Sequence, residues 1–210
     1  MKKTLPALAV VLSSMAATAS AQSLENFSVE AGLSTLGLYI APKADLAPQW
    51  QIRAPLYMGS LSDTFDADGS DIDGKITSNS VAIMADYKIG DAGFRVSGGF
   101  SVGGYELEGT ATTLTLDGTD YNGNFTAKVE QKRNVTPVLA VGYARDLGSN
   151  WGFVAELGAR ITSLEVSTTG QDALSATERA QFDVDLAQVN SDLSDIKLLP
   201  FITLGVGYRF

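Results

Sequence analysis

The chain has 210 residues and a formal net charge of −9, with a pI near 4.4. This acidity argues against a nucleic-acid partner, which would require a basic surface facing the phosphates. The sequence contains no cysteine and no histidine, which excludes disulfides, a lipid-anchored cysteine and the usual ligands of a zinc site. The length fits one domain.

Residues 1–21 are predicted to be a signal peptide. Lys2 and Lys3 precede an apolar run, and Ala19-Ser20-Ala21 forms a small-residue cleavage motif. The run is shorter than the roughly 20 residues that a membrane-spanning helix needs. We expect cleavage after Ala21, which leaves one mature domain at 22–210; an uncleaved anchor is the alternative.

The region Phe27–Ala41 changes phase. Its apolar residues alternate up to Leu33 and resume one position out of step at Leu36. Such a shift indicates either a bulge in one long strand or a turn between two strands. The whole chain then has seven or eight strands, respectively.

Six later segments alternate between apolar and polar or small residues. In the last of them, Leu204, Val206 and Tyr208 share one face, while Gly205 and Gly207 lie on the other. This period of two predicts antiparallel strands that separate two unlike environments. The six segments are Trp50–Met58, Val81–Ile89, Phe94–Val102, Val135–Tyr143, Trp151–Ile161 and Phe201–Phe210.

The connections between these segments are unequal in length. Short ones are predicted at Lys43–Pro48, Gly90–Gly93 and Asp146–Asn150, and long ones at Ser60–Thr77, Thr110–Val129 and Ser167–Leu198. Seven aromatic residues lie beside the short connections: Trp50, Tyr87, Phe94, Tyr143, Trp151, Tyr208 and Phe210. A one-sided aromatic belt with long loops at the other end is typical of outer-membrane barrels. A soluble β-barrel, with its apolar face inward, is the alternative.

The polar faces carry seven charges that a membrane barrel would turn into its lumen: Arg53, Asp86, Lys88, Arg95, Glu156, Arg160 and Arg209. The interior of an eight-stranded barrel is just wide enough for side chains to fill it. Charges buried there are costly unless they are paired. We therefore expect an ion-paired lumen rather than an open conduit.

The first long connection is acidic. Asp66, Asp68, Asp71 and Asp73 are weak candidates for a calcium site, because Ca²⁺ prefers carboxylate oxygens. The spacing departs from an EF-hand, since Gly69 comes early and Thr77 stands where the final glutamate belongs. The favoured interpretation is a solvated acidic loop. Apart from these candidates no metal site is predicted, and no cofactor is predicted.

The last long connection contains a predicted amphipathic helix within Ser175–Leu199. Apolar residues recur there at helical spacing: Phe182, Leu186, Val189, Leu193 and Ile196. Ser175 and Glu178 form a capping box at the start, and Pro200 marks the end. Asp183, Asp185, Asp192 and Asp195 are assigned to the opposite faces. We expect the apolar stripe to pack on the chain's own barrel.

The chain ends in Gly207-Tyr208-Arg209-Phe210. This terminus resembles the C-terminal insertion signal of the small outer-membrane β-barrel families of Gram-negative bacteria, the OmpA/OmpW/OmpX-like group. The resemblance implies an all-β, transmembrane, antiparallel up-and-down barrel in the cell outer membrane, surrounded by lipids including lipopolysaccharide. It also implies that the barrel assembly machinery reads Tyr208 and Phe210. Because bacterial single-chain barrels have even strand numbers, about eight strands are expected, with two in Phe27–Ala41.

An enzymatic role is not predicted. The familiar outer-membrane enzymes use a histidine as base or as part of a dyad, and this chain has none. Our first hypothesis is a barrel with a structural or surface-interaction role and a lumen filled by paired charges. The alternative is a narrow porin-like channel for small solutes. The oligomeric state is left open.

Overall fold

A computed structural model describes residues 26–67 and 70–210, except for the side chains of 64–72. The predicted signal peptide, 1–21, lies outside the described residues. The described strands are β1 (Phe27–Ser34), β2 (Gly37–Ala47), β3 (Trp50–Arg53), β4 (Leu56–Ala67), β5 (Ser70–Ile89), β6 (Phe94–Leu116), β7 (Thr119–Gln131), β8 (Val135–Gly148), β9 (Trp151–Ile161), β10 (Leu164–Thr169) and β11 (Leu198–Arg209). Between β10 and β11 lie a 3₁₀ turn (Gln171–Ala173) and helix α1 (Ala176–Ser194). Among the described helices, none combines the length and apolar character needed to cross a membrane.

All eleven strands belong to one antiparallel sheet. β1 pairs with β2 on one side and with β11 on the other. β3 and β4 both lie between β2 and β5, separated by Ala54 and Pro55. The predicted strand Trp50–Met58 is therefore interrupted, because a proline cannot donate to a strand ladder.

The segment Phe27–Ala41 contains two strands rather than one bulged strand. Ser34 pairs with Gly37, so the connection is the two-residue turn Thr35-Leu36. Gly37 has a φ of +107°, which an L side chain rarely adopts. The phase shift in the sequence thus reflects a turn.

Two of the long connections are β-hairpins rather than irregular loops. Ser60–Thr77 is the paired continuation of β4 and β5. Thr110–Val129 is the paired continuation of β6 and β7, and β10 adds to β7 as a further strand. Asp117 and Gly118 both have positive φ at the tip of this hairpin, as a type I′ turn requires. The expectation of loops was wrong, because strand pairing continues through both connections and Asp117-Gly118 supplies the turn of the second.

The two faces of the sheet are inverted relative to a soluble protein. On one face, large apolar side chains are mostly exposed: Leu33 is 67%, Ile83 64% and Phe100 62% accessible. On the other face, charged side chains are buried, and Glu30 and Asp86 are both 0% accessible. Soluble proteins rarely expose large contiguous apolar surfaces. The apolar face therefore requires a covering of apolar material.

Helix α1 packs on the hairpin formed by β6 and β7. Phe182 is fully buried between Tyr121 and Phe125, with ring centroids 5.0 and 5.7 Å away. Leu186 and Val189 flank this cluster, whereas Ile196 lies beyond the end of the helix and is exposed. The predicted stripe is thus packed over its first half.

The start of the helix follows the sequence pattern. The Glu178 amide donates to the Ser175 hydroxyl, and the Ser175 amide donates to the Glu178 carboxylate at 2.9 Å. These hydrogen bonds hold the pKa of the Glu178 carboxyl below its usual range. The helix ends at Ser194, several residues before the predicted limit at Leu199.

The assignment of Asp185 to an outward face of the helix was wrong. Asp185 is buried and accepts hydrogen bonds from the Tyr121 hydroxyl at 2.7 Å and from the Gln181 amide at 2.6 Å. Residues three apart on a helix share a face, so Asp185 lies beside Phe182. The packed face thus contains one charge that has its own donors.

The hydrogen bond between Tyr121 and Asp185 predicts that the docking of helix α1 weakens at alkaline pH. Burial and the Asp185 carboxylate raise the pKa of Tyr121 from 10.0 to about 12. Because the folded state favours the neutral phenol, its stabilising contribution is complete below pH 10 and is lost as the pH rises through about 12. We expect helicity, measured by circular dichroism, to fall over that interval in the wild type.

Tyr121→Phe removes the titrating hydroxyl, and it leaves Asp185 short of a donor. This variant should hold α1 less firmly at neutral pH and lack the alkaline step. Tyr105→Phe, on β6 outside this cluster, serves as the control and should behave like the wild type. An unchanged alkaline step in Tyr121→Phe would contradict the assignment.

Candidate functional site

Five buried charges lie on the buried face of the sheet, each on a different strand. Glu30 lies on β1, Arg53 on β3, Asp86 on β5, Arg95 on β6 and Glu156 on β9. In each strand, the neighbours on both sides of the charged residue point to the opposite face, as the alternation of a strand requires. The folded sheet brings these five side chains together, although some are more than 100 positions apart.

Arg53 links three other strands. Its Nε donates to Asp86 Oδ1 at 3.0 Å, and one terminal nitrogen donates to the Tyr39 hydroxyl at 3.1 Å. The other terminal nitrogen donates to Glu156 Oε2. The planar guanidinium thus reaches three acceptors on three different strands, which a lysine could not do with the same geometry.

Arg95 forms the second fork. Its two terminal nitrogens donate to the two oxygens of Glu30 at 2.7 and 3.2 Å, and one of them also donates to Glu156 at 3.1 Å. Glu30 further accepts from Lys43 Nζ at 2.7 Å and from the Tyr39 hydroxyl at 2.6 Å. Glu156 therefore links the two arginines, and Tyr39 links Glu30 to Arg53.

The network is electrically balanced. Its anions are Glu30, Asp86 and Glu156, and its cations are Lys43, Arg53 and Arg95. Gln51 satisfies the second oxygen of Asp86 at 2.6 Å. Buried charges persist when they are paired and hydrogen-bonded, since an isolated charge would cost several kcal/mol. We call this set the charge network.

The seven charges singled out from the sequence lie in different settings. Four belong to the charge network: Arg53, Asp86, Arg95 and Glu156. Lys88 pairs instead with Asp45 at 2.6 Å, and this pair is one-third exposed. Arg160 is buried, but among the described residues it makes hydrogen bonds and no ion pair. Arg209 is exposed.

Sequence reasoning missed Glu30, Lys43 and Asp45. Glu30 was recognisable, because Val29 and Ala31 on either side belong to the apolar set of the same strand. Lys43 and Asp45 were assigned to a short connection, whereas β2 continues to Ala47. The true connection is Pro48-Gln49, between β2 and β3.

A cavity of about 510 Å³ opens at the end of the sheet where the short turns lie. Gly90, Asp91 and Asn150 mark its rim, and Lys43 and Arg95 bring the charge network to its inner wall. Arg209 also lines it. The cavity thus reaches the edge of the charge network from one end.

The seven aromatics predicted as a belt contact one another in tilted or edge-to-face pairs. Trp50 contacts Tyr87, Phe94 contacts Tyr143 and Trp151 contacts Tyr208, with ring centroids 5.0 to 5.1 Å apart. Each of these pairs also occupies directly opposed positions of neighbouring strands. Tyr208 additionally contacts the terminal Phe210 at 5.3 Å.

The calcium candidates give no site in the described part of the chain. Asp68, and the side chains of Asp66 and Asp71, lie outside the described residues. The side chain of Asp73 is described and interacts with another group. Among the described side chains, no group of three metal-ligating residues occurs.

Three solved structures resemble this fold. The crystal structure of Acinetobacter baumannii CarO is 18% identical, covers 90% of this chain and 100% of that one, and has a TM-score of 0.62. That of A. baumannii CarO2 is 17% identical, covers 88% and 98%, and has a TM-score of 0.64. A major outer membrane protein from Thermus thermophilus is 19% identical, covers 88% and 97%, and has a TM-score of 0.46.

No family model and no curated protein sequence matches the chain. At this level of identity, the likeness to the two Acinetobacter structures establishes a shared fold along nearly the whole of both chains. The resemblance to the OmpA/OmpW/OmpX-like group stays a prediction.

The charge network predicts a strong dependence of stability on Glu30. Glu30→Gln removes a carboxylate that serves both Lys43 and Arg95, so it leaves buried positive charge without compensation. Breaking a buried pair from one side costs about 3–5 kcal/mol. We expect a loss of this size in the free energy of unfolding, measured by urea titration after refolding into lipid vesicles.

Two further variants test whether unpaired charge in the network causes this loss of stability. Asp45→Asn breaks the partly exposed pair with Lys88, and should cost less than about 1 kcal/mol. Glu30→Gln combined with Lys43→Met restores neutrality and should recover part of the loss. If Glu30→Gln costs no more than Asp45→Asn, the network does not have the assigned energetic role.

Proposed function

We propose that the chain is an integral protein of the outer membrane of a Gram-negative bacterium, with a structural or surface-interaction role. In this proposal the sheet closes into an eight-stranded transmembrane barrel whose lumen is blocked by the charge network. The observation that carries it is the inversion of the two faces, with paired charges inside and large apolar side chains outside. A bilayer supplies the apolar covering that water cannot.

The strand pairings support closure at eight. β3 and β4 occupy one position between β2 and β5, interrupted at Pro55. β6 pairs with β8 along its first half, whereas only its second half pairs with β7, to which β10 adds on the far side. The proposed ring consists of β1, β2, β3 with β4, β5, β6, β8, β9 and β11, and the pairing of β11 with β1 supports its closure.

The aromatic belt supports an orientation in the membrane. Trp and Tyr favour the interface between lipid and water, and the aromatic pairs lie beside the short turns. Short turns face the periplasm in outer-membrane barrels, while longer loops face outward. The hairpins of β4–β5 and β6–β7, with helix α1, would then project from the cell surface.

Export and insertion complete the proposal. The predicted signal peptide at 1–21 would direct the chain to the periplasm, where the barrel assembly machinery would meet Tyr208 and Phe210. Lipids including lipopolysaccharide would surround the apolar face. The chain would act without catalysis and without a cofactor.

A narrow porin-like channel for small solutes is the second candidate. The cavity at the short-turn end favours it, because solutes could enter about 510 Å³ of space there. The charge network argues against it, because the side chains of Arg53, Asp86 and Glu156 have almost no contact with solvent. We therefore favour a closed lumen.

Two measurements on the purified, refolded protein test these proposals. A barrel should migrate differently on a denaturing gel before and after boiling, and identical mobility would contradict the membrane barrel. In planar bilayers the wild type should give no unitary conductance steps. Reproducible steps in the wild type would overturn the closed lumen and favour the channel.

A matched variant tests whether the bilayer assay can detect an opened lumen. Arg53→Ser combined with Asp86→Ser removes a buried pair without changing the net charge, and it vacates the centre of the network. We expect this variant to retain the heat-dependent gel shift and to give small conductance steps. Lys88→Ser combined with Asp45→Ser, outside the network, should remain silent.

A further inference from the structure

Arg160 is a buried cation without a counter-ion in the described part of the chain. Its side chain is 1% accessible, yet every ion pair in that part of the chain is made by another basic residue. One terminal nitrogen donates to Ser80 Oγ at 2.6 Å and the other to Gln131 Oε1 at 3.2 Å. Both acceptors are neutral, so the full positive charge is uncompensated.

Further hydrogen-bond donors surround this cation. The Gln131 Nε2 atom is buried without a partner among the described residues, and it belongs to the same amide that accepts from Arg160. The Ser78 hydroxyl is also buried without a partner there. Ser78 lies two positions from Ser80 on β5 and therefore points to the same face. The described residues thus supply donors here, but no negative charge.

An aromatic side wall confines this region. The Tyr57 ring lies 5.5 Å from the Arg160 guanidinium carbon, and it also contacts Phe201 at 6.0 Å. Cation–π attraction compensates only part of the cost of burying a cation. An arginine with five N–H donors and neutral neighbours is a strong site for an anion.

The site lies far from the aromatic belt. Arg160 is nine residues from Trp151 along β9. At about 3.3 Å per residue and a tilt of about 40°, this places it about 23 Å above the belt, near the top of an apolar band about 25 Å tall. On the orientation that we propose for the barrel, the site lies nearer the cell exterior than the periplasm.

We propose that Arg160, Ser78, Ser80 and Gln131 form a binding site for one small monovalent anion at the outer end of the barrel interior. The ligand class is chloride or the carboxylate group of a small solute, which share the required charge and size. The anion accepts from the guanidinium, from the Ser78 hydroxyl and from Gln131 Nε2. It supplies the counter-charge that the chain omits at this level.

The test measures thermal unfolding by circular dichroism in a zwitterionic detergent at constant ionic strength. Sodium gluconate, whose anion is too bulky for an enclosed site, is replaced stepwise by sodium chloride or by sodium acetate. A ligand that binds only the folded state stabilises it, and for a chain of this size we expect a saturable rise of about 3 °C or more. A rise in chloride alone identifies chloride as the ligand; a rise in acetate alone identifies a carboxylate.

Gln131→Glu is the decisive variant, because it places a carboxylate beside Arg160 with almost no change in shape. It should be more stable than the wild type in gluconate, and it should lose the dependence on chloride and acetate. Arg160→Gln should also lose the dependence, while Arg209→Gln, an exposed arginine at the opposite end, should keep it.

The outcomes separate the anion site from the proposed barrel. Absence of any anion dependence in the wild type means that water alone satisfies these groups, and it overturns the anion site. The anion site is equally overturned if Gln131→Glu still responds to chloride or acetate. A heat-dependent gel shift in the same samples would show that the barrel stands even when the anion site fails.

Discussion

The interior of this protein depends on the guanidinium of Arg53. It reaches acceptors on three strands at once, through Asp86, Tyr39 and Glu156. Because a buried charge cannot be left unpaired without a cost of several kcal/mol, each acceptor fixes the position of its own strand relative to Arg53. The second fork, at Arg95, shares Glu156 with the first, so the two halves of the network constrain each other.

Such a network requires room on the strands that face it. Gly142 lies against the side chain of Arg95, and a Cβ at that position would come within 2.7 Å of the arginine Nε. Gly158 lies against the ring of Phe201, where a Cβ would clash with both the ring and the backbone of β8. Small residues opposite large ones thus allow a narrow interior to hold two arginines and several aromatic rings. The glycines on the polar faces are part of the same arrangement as the charges.

The sequence predicted those features that depend on local periodicity. The inward position of Arg53, Asp86, Arg95 and Glu156 follows from alternation alone, and the start of helix α1 follows from the capping box at Ser175. The partners could not be predicted, because Arg53 and Glu156 are 103 positions apart and meet only through the register of the folded sheet. The burial of two further residues was predictable from periodicity: Glu30 lies in phase with its strand, and Asp185 lies three residues from Phe182 on a helix. The Asp117-Gly118 pair indicates a β-hairpin within Thr110–Val129, although the length of this segment suggested a loop.

Buried positive charge is compensated differently in the charge network and around Arg160. Near the aromatic belt, three cations meet three carboxylates, and the chain provides every charge that it needs. At the level of Arg160 it provides a cation, neutral oxygens and unused donors. Desolvation penalises both levels in the same way, so the difference lies in where the compensating charge comes from. In the closed barrel that we propose, the self-sufficient charge network would stabilise the blocked lumen, whereas Arg160 would take its counter-charge from the solution.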